Sequence, residues 1–229
     1  MSRTTTGQLV WIKATDPPDT FPPVAQALRE PDGLLAAGGD LQPERLLAAY
    51  RRGIFPWYSA DQPIMWWSPD PRTVLFPDKL KVSRSLLQSA RKQQFVTRMD
   101  CNFAAVIAAC GDRTLRPEGS WITAEMRAAY QQLHYLGYAH SVETYQGDEL
   151  VGGLYGVQLG RVFFGESMFS RVTDASKFAL KQLCAHLLQQ HVAMIDCQMA
   201  TPHLISLGAQ LIPRSEFVEL LRLHVGESL

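Results

Sequence analysis

Two short apolar runs carry polar groups for which an ordinary buried strand has no use. Arg161 to Ser170 reads RVFFGESMFS, with Glu166 inside it. Further on, Ala193 to Met199 reads AMIDCQM, with Asp196 and Gln198 two apart. An ionised carboxylate on a half-buried strand is costly unless it is paired or hydrogen-bonded. Glu166 therefore either pairs with a neighbouring cation, Arg161 or Arg171 at the sheet edge, or serves a ligand. Side chains at i and i+2 of a strand share a face, which groups Asp196 with Gln198. Carboxylates and an amide in apolar surroundings handle protons and steady developing charge. Gly165 leaves room for a ligand or a second backbone to approach. Together the two runs read as a built site.

Those runs must be held by regular elements, and the pattern supplies them. Eleven of the fourteen prolines fall between Pro17 and Pro77, which predicts a small, loop-rich N-terminal domain over 1–70. One helix interrupts it, Pro43 to Arg52, with Glu44 at its positive end and Gly53 as its stop. From 71 to 229 the pattern is regular. Helices are predicted at Ser83–Gln94, Phe103–Cys110, Thr123–Leu136 and Ala175–Gln190, the last with Asp174 as N-cap. Strands are predicted at His140–Tyr145, Glu149–Leu159, Arg161–Ser170 and Ala193–Met199, with turns at Gln146–Asp148 and Gly160. Leu204–Leu207 and Ser215–Leu223 read as short helices. Helices, a three-strand meander, a helix, a strand and a helix make an α+β layer arrangement.

Composition excludes several classes. Hydrophobic residues form 46% of the chain and charged residues 19%, which supports a substantial core. Formal net charge is zero, so any nucleic-acid contact comes from a local patch. Cys101, Cys110, Cys184 and Cys197 lack C-x-x-C spacing, which reads as reduced thiols in a cytoplasmic protein. The opening residues show no signal-peptide core, and no run approaches a membrane span. The six histidines are dispersed without metal-ligand spacing, so no metal is expected.

The element order fits an acetyltransferase-like (GNAT) mixed sheet core flanked by helices. Such enzymes hold the CoA pyrophosphate with a glycine-rich turn at a helix N-terminus. The corresponding turn, Ser170 to Ser176, has no glycine, and Asp174 sets a negative charge where the pyrophosphate belongs. CoA is therefore disfavoured as acyl donor.

From about Phe21 to Leu221 the chain resembles the bacterial leucyl/phenylalanyl-tRNA–protein transferases. The resemblance is carried by Glu30-Pro-Asp-Gly-Leu-Leu-Ala-Ala-Gly-Gly-Asp-Leu41, Gly53-Ile-Phe-Pro-Trp-Tyr-Ser59, Trp66-Trp-Ser-Pro-Asp-Pro-Arg72, Trp121-Ile-Thr123, His140-Ser141, Gly152-Gly153-Leu-Tyr-Gly156, Gly165-Glu-Ser-Met-Phe-Ser170 and Asp196-Cys-Gln198. Each motif is weak alone; the ordered set is specific. The resemblance implies transfer of Leu, Phe and less efficiently Met from aminoacyl-tRNA to the N-terminal Arg or Lys of acceptor proteins. That would create an N-degron, without a cofactor and away from membranes, in a protein read as a monomer. The competing readings are a CoA-dependent small-molecule N-acyltransferase and a non-catalytic tRNA-binding module.

The resemblance also implies roles. Glu166 would orient the aminoacyl adenosine or the attacking amine, and Asp196 and Gln198 would stand at the centre. There Asp196 either polarises or orients Gln198, which contacts the amine or carbonyl, or the two form a buried polar pair satisfied by backbone, an alternative with more force for Asp196 than for Gln198. Glu166 and Asp196, with Glu143 behind them, are candidates for the acceptor's positive end. An apolar pocket of Leu154, Phe163, Met168 and Ile195, beside Gly165, would choose the side chain, although ordinary core accounts for some of these. Trp57 and Trp121 are associated with the terminal adenine, while the other aromatics between Phe55 and Trp67 read as core. Thr201 stands where related sequences suggest Asn. Between Arg72 and Arg98 lie seven basic residues (Arg72, Lys79, Lys81, Arg84, Arg91, Lys92, Arg98) and one acid, Asp78, a local +6. Arg84 and Arg91 share a helix face, and with Lys92 they form the expected tRNA-binding patch.

Overall fold

The computed structural model describes residues 9–112, 114–115 and 120–226. The chain opens with β1 (Val10–Ile12), β2 (Leu34–Gly38), α1 (Pro43–Arg51), β3 (Phe55–Pro56) and β4 (Met65–Trp67). Then come β5 (Arg72–Leu75), α2 (Arg84–Lys92), β6 (Phe95–Met99), α3 (Phe103–Cys110) and α4 (Ala124–Tyr135). A meander follows: β7 (Ala139–Gln146), β8 (Glu149–Leu159) and β9 (Val162–Ser170). The last elements are α5 (Ala175–Gln189), β10 (Met194–Gln198), α6 (Pro202–Ser206), β11 (Gln210–Ile212) and α7 (Arg214–Val225).

Two units divide the chain. The first holds the residues up to Arg72 and those from Ile212 onward, and the second runs from Thr73 to Leu211. The closing helix α7 thus belongs with the N-terminal residues, where a linear division at 70 assigns it to the larger domain. In the first unit a four-stranded sheet has the order β1-β2-β4-β3. Trp66, fully buried, donates its indole N–H to the Gly38 carbonyl at 2.9 Å, and Phe55 and Trp67 are buried as well. Arg72, expected in the basic patch, is instead fully buried here. Its guanidinium lies 4.8 Å from the Phe55 ring and 4.6 Å from the Phe217 ring, and it donates to the Gly53 carbonyl. A planar cation between two aromatic faces is a packing device, not a phosphate ligand.

In the second unit a seven-stranded mixed sheet has the order β11-β5-β10-β9-β8-β7-β6. β6 to β9 pair antiparallel, β10 runs parallel to β9 after the α5 crossover, and β5 is antiparallel to β10. Helices cover both faces, and β8 shows how. Leu154 packs in one cluster with Leu180 and Leu183 of α5. Tyr155, on the opposite face, meets Phe103 of α3 and Tyr130 of α4 edge-on. This is the two-residue strand period. A Cβ on Gly152 would stand 2.5 Å from the Ala175 Cβ, so the start of α5 lies on β8 at a distance that only glycine permits.

Strands β5, β6 and β11 escape the sequence reading. β5 and β11 are short, and β6 follows α2 with no glycine between. There Gln94 adopts φ 55°, the left-handed turn that glycine usually marks. Asp174 stands at the start of α5 in a left-handed conformation and makes no side-chain cap bond. Ser170 takes that job: its Oγ accepts the Ser176 N–H at 2.9 Å, while Asp174 pairs with Lys177 at 2.9 Å.

Gly152→Val should overpack the α5–β8 contact. We expect a loss of about 1–3 kcal/mol, seen as a fall of roughly 2–10 °C in the thermal midpoint. An unchanged midpoint would refute the close-approach explanation.

Candidate active site

The site is built where β9 and β10 part. The two parallel strands pair over three residues only: Val162 with Met194, Phe163 with Ile195, and Phe164 with Asp196. Up to that point both are buried. One step further, at Gly165 and at Cys197, both become half-buried. A bulge accompanies each departure. Tyr155 and Gly156 on β8 oppose Ser167 and Gly165 on β9, which leaves Glu166 as the extra residue. Val74 and Thr73 on β5 oppose Asp196 and Gln198 on β10, which leaves Cys197. Bulges bend a strand and re-aim a side chain, and here they turn two strands away from each other.

The gap is a cleft of about 290 Å³. Trp121, Leu154, Phe163, Gly165, Glu166, Met168, Ile195 and Gln198 all line it. The walls also include Tyr155, Ser167, Leu180, Leu183, Cys197, Thr201, His203 and Leu204. Leu180 and Leu183 are legible in hindsight as i, i+3 neighbours on an apolar helix face. The α6 residues are not, because five residues give too little periodicity.

Glu166 accepts a hydrogen bond from the Tyr130 hydroxyl at 2.9 Å, and Tyr130 is itself fully buried. Arg161 and Arg171, the cations that flank Glu166 in sequence, donate to the His191 and Leu150 carbonyls. Asp196 is fully buried and does not line the cleft. Its Oδ1 accepts the backbone N–H of Gln198 at 3.0 Å, and Gln198 sits at φ 56°. The bulge thus breaks the alternation that would put Asp196 and Gln198 on one face. The carboxylate acts on the backbone of Gln198, an Asx-type turn that stabilises a left-handed residue. The Gln198 Nε2 is buried and has no hydrogen-bond partner among the described residues. A buried unpaired donor of that kind normally costs stability. His203 has its pKa lowered by burial and, secondarily, by the charge of Lys177.

The model of the leucyl/phenylalanyl-tRNA protein transferase family matches residues 74–222, and that of its N-terminal domain matches residues 39–70. A leucyl/phenylalanyl-tRNA–protein transferase of Aromatoleum aromaticum is 63% identical over 86% of this chain and 83% of its own length. Namesakes from Stutzerimonas stutzeri and Pseudomonas aeruginosa are each 56% identical, over 95% and 93% of this chain and 95% and 94% of theirs. The chain belongs to this family. Among solved structures, a GCN5-related glucosamine N-acetyltransferase region of a fungal enzyme aligns with TM-score 0.43 and 11% identity, over 79% of this chain and 23% of that one, a remote likeness.

Other residues named from the sequence fall elsewhere. Trp57 belongs to the first unit, partly exposed, with its ring edge-on to Trp67 at 5.5 Å. Arg84, Arg91 and Lys92 are on α2, all three exposed. Lys79 pairs with Asp78 at 3.1 Å, and the Arg98 guanidinium lies over the Tyr145 ring. His140 shares a 2.8 Å hydrogen bond with Asp100, a structural role. Among the described residues no group of metal-binding side chains occurs, and no helix is long and apolar enough to cross a membrane. All four cysteines are free, and burial pushes the Cys184 thiol up to about 12.

Glu143 is fully buried and does not line the cleft. It accepts from the Ser141 hydroxyl at 2.6 Å and the Asn102 N–H at 3.2 Å, so it is committed internally and is no partner for an acceptor amine. Burial raises its pKa above the usual carboxylate value despite those bonds. On unfolding the group ionises more readily, so it subtracts stability as pH rises above the unfolded-state value of 4.5. Glu143→Gln keeps an acceptor oxygen and removes this effect. Thermal melts from about pH 4 to 7 should show the variant gaining on the unaltered protein as pH rises. Parallel curves would contradict the buried-carboxylate account.

Proposed function

We propose that the protein transfers leucine or phenylalanine, and less efficiently methionine, from tRNA to the N-terminal Arg or Lys of acceptor proteins, on an acetyltransferase-like core. Family membership supports the reaction, and the observation that carries its placement is the parting of β9 and β10. It brings a carboxylate from β9 and an amide from β10 to a largely apolar cleft. The free thiols support a reducing, cytoplasmic setting, in which the product is an N-degron, and the even balance of charge supports a monomer.

The donor is already an activated ester. The acceptor's α-amine attacks the ester carbonyl carbon, the tetrahedral intermediate collapses, and the bond to the ribose oxygen breaks. The amine's proton ends on that oxygen. An α-amine titrates near ~8, so the protein needs to orient more than to deprotonate. The Gln198 amide nitrogen is the donor for the developing oxyanion. Glu166, held by Tyr130, faces the positive amine of donor or acceptor. Asp196 is a positioning residue that fixes Gln198 through its backbone. Leu154, Phe163, Met168 and Ile195 receive the transferred side chain; an unbranched thioether adapts to more than one shape. Trp121, on the cleft wall, stacks the terminal adenine, and Arg84, Arg91 and Lys92 bind tRNA phosphates.

A CoA donor fits less well. The N–H of Ser176 at the start of α5 is taken by Ser170, and Asp174 stands beside it.

Incubation with radiolabelled Leu-tRNA or Phe-tRNA and a peptide beginning with Arg should give labelled peptide. No transfer of label would refute the assignment.

The role of Asp196 has its own test. Asp196→Asn retains an acceptor for the Gln198 N–H and should keep at least about a tenth of the rate. Asp196→Ala frees the bulge and should fall about a hundredfold or more, matching Gln198→Ala. Equal loss in the two Asp196 variants would point to a general base instead.

A further inference from the structure

A second cavity of about 290 Å³ lies in the same unit, lined by Lys81, Ser83, Lys177 and Ser206 together with apolar side chains. We propose that it takes a backbone phosphate of the tRNA close to the aminoacylated end. The inference rests on the transferase reading and extends it to a subsite.

The cavity is firmly framed. The Lys81 N–H donates to the Leu207 carbonyl at 2.9 Å. A Cβ on Gly208 would stand 2.5 Å from the Lys79 carbonyl oxygen, so the chain before α2 is pressed against the end of α6. The charge is positive and partly uncommitted. Only the backbone N–H of Lys81 is bonded, and its side chain has no ion-pair or hydrogen-bond partner among the described residues. Lys177 is paired with Asp174 yet remains 39% exposed. Two lysines against one carboxylate leave one net positive charge. α2 begins at the rim, capped by Ser83, and its first turn holds no acidic residue, so nothing offsets the positive helix end.

Position connects the cavity to the chemistry. Lys177 precedes Leu180 by three residues on α5, and Ser206 follows His203 by three on α6. Leu180 and His203 line the cleft. Three residues are about one helical turn, roughly 4.5 Å along the axis. The charge of Lys177 reaches His203, where it adds to burial in lowering the imidazole's pKa. A strand whose esterified ribose sits in the cleft therefore passes its phosphates over this cavity, on the way to Arg84 and Arg91.

Two donors test the subsite: leucyl-adenosine, which has no phosphate, and a 3′-leucylated CCA trinucleotide. Lys81→Gln and Lys177→Gln should each raise KM for the trinucleotide about tenfold, with kcat nearly unchanged. KM for leucyl-adenosine should not move, which also reports that the variants are folded. The salt dependence of tRNA binding should weaken by about 0.7 in slope for each phosphate no longer neutralised, and Lys81→Arg should restore most of the affinity. Equal effects on both donors, or no effect on either, would overturn the subsite. Failure of the unaltered protein to use any donor would overturn the transferase reading itself, and the subsite with it.

Discussion

Everything in the larger unit follows from two parallel strands that stop pairing. β9 and β10 share three residue pairs and then separate. Separation exposes backbone groups that a continuous sheet would satisfy, and each such group is costly if buried alone. The protein meets that cost in part within β10 itself, and it also fixes a side chain at the parting. Asp196 takes up the Gln198 N–H, and Tyr130 reaches across from α4 to Glu166. A regular sheet here would be better bonded and would have no cleft. The site is the place where regular pairing is given up.

The three polar residues do different jobs there. Asp196 is the most deeply buried and works on the backbone. Gln198 lines the cleft, and its buried amide nitrogen has no partner among the described residues. A donor left in that state has more to gain from a developing oxyanion than one already bonded. Glu166 is half-buried, and the Tyr130 hydroxyl donates to it. The apolar walls sharpen all three, since charge interactions strengthen where water is displaced.

Much of this was legible in the sequence. The meander, the crossover helix and the fourth strand announced themselves through strand alternation and the Gly160 turn, although the side chain that caps α5 is Ser170 and not Asp174. Glu166 and Gln198 stood out because apolar runs rarely carry such groups. What escaped was set by tertiary context. No local signal says that Glu166 and Cys197 are extra residues in their ladders, so simple alternation grouped Asp196 with Gln198. Gln94 makes a left-handed turn without the glycine that would have marked the end of α2 and the start of β6. Arg72 reads as a surface cation in a basic stretch, and only the folded chain shows it stacked between Phe55 and Phe217. Tyr130 lies in a helix whose pattern explains it fully as core.

The distribution of charge matters for how a neutral protein finds a polyanion. With Arg72 buried, Lys79 paired and Arg98 lying on Tyr145, the expected patch contracts to Lys81, Arg84, Arg91 and Lys92, within which no acidic residue occurs. Four charges on one short segment of an otherwise balanced chain make a local field, strong near α2 and screened within about 8–10 Å at physiological salt. Such a field aligns a strand that is already close; it does not steer from afar as a uniformly basic protein would. A polyanion held by that field responds to salt.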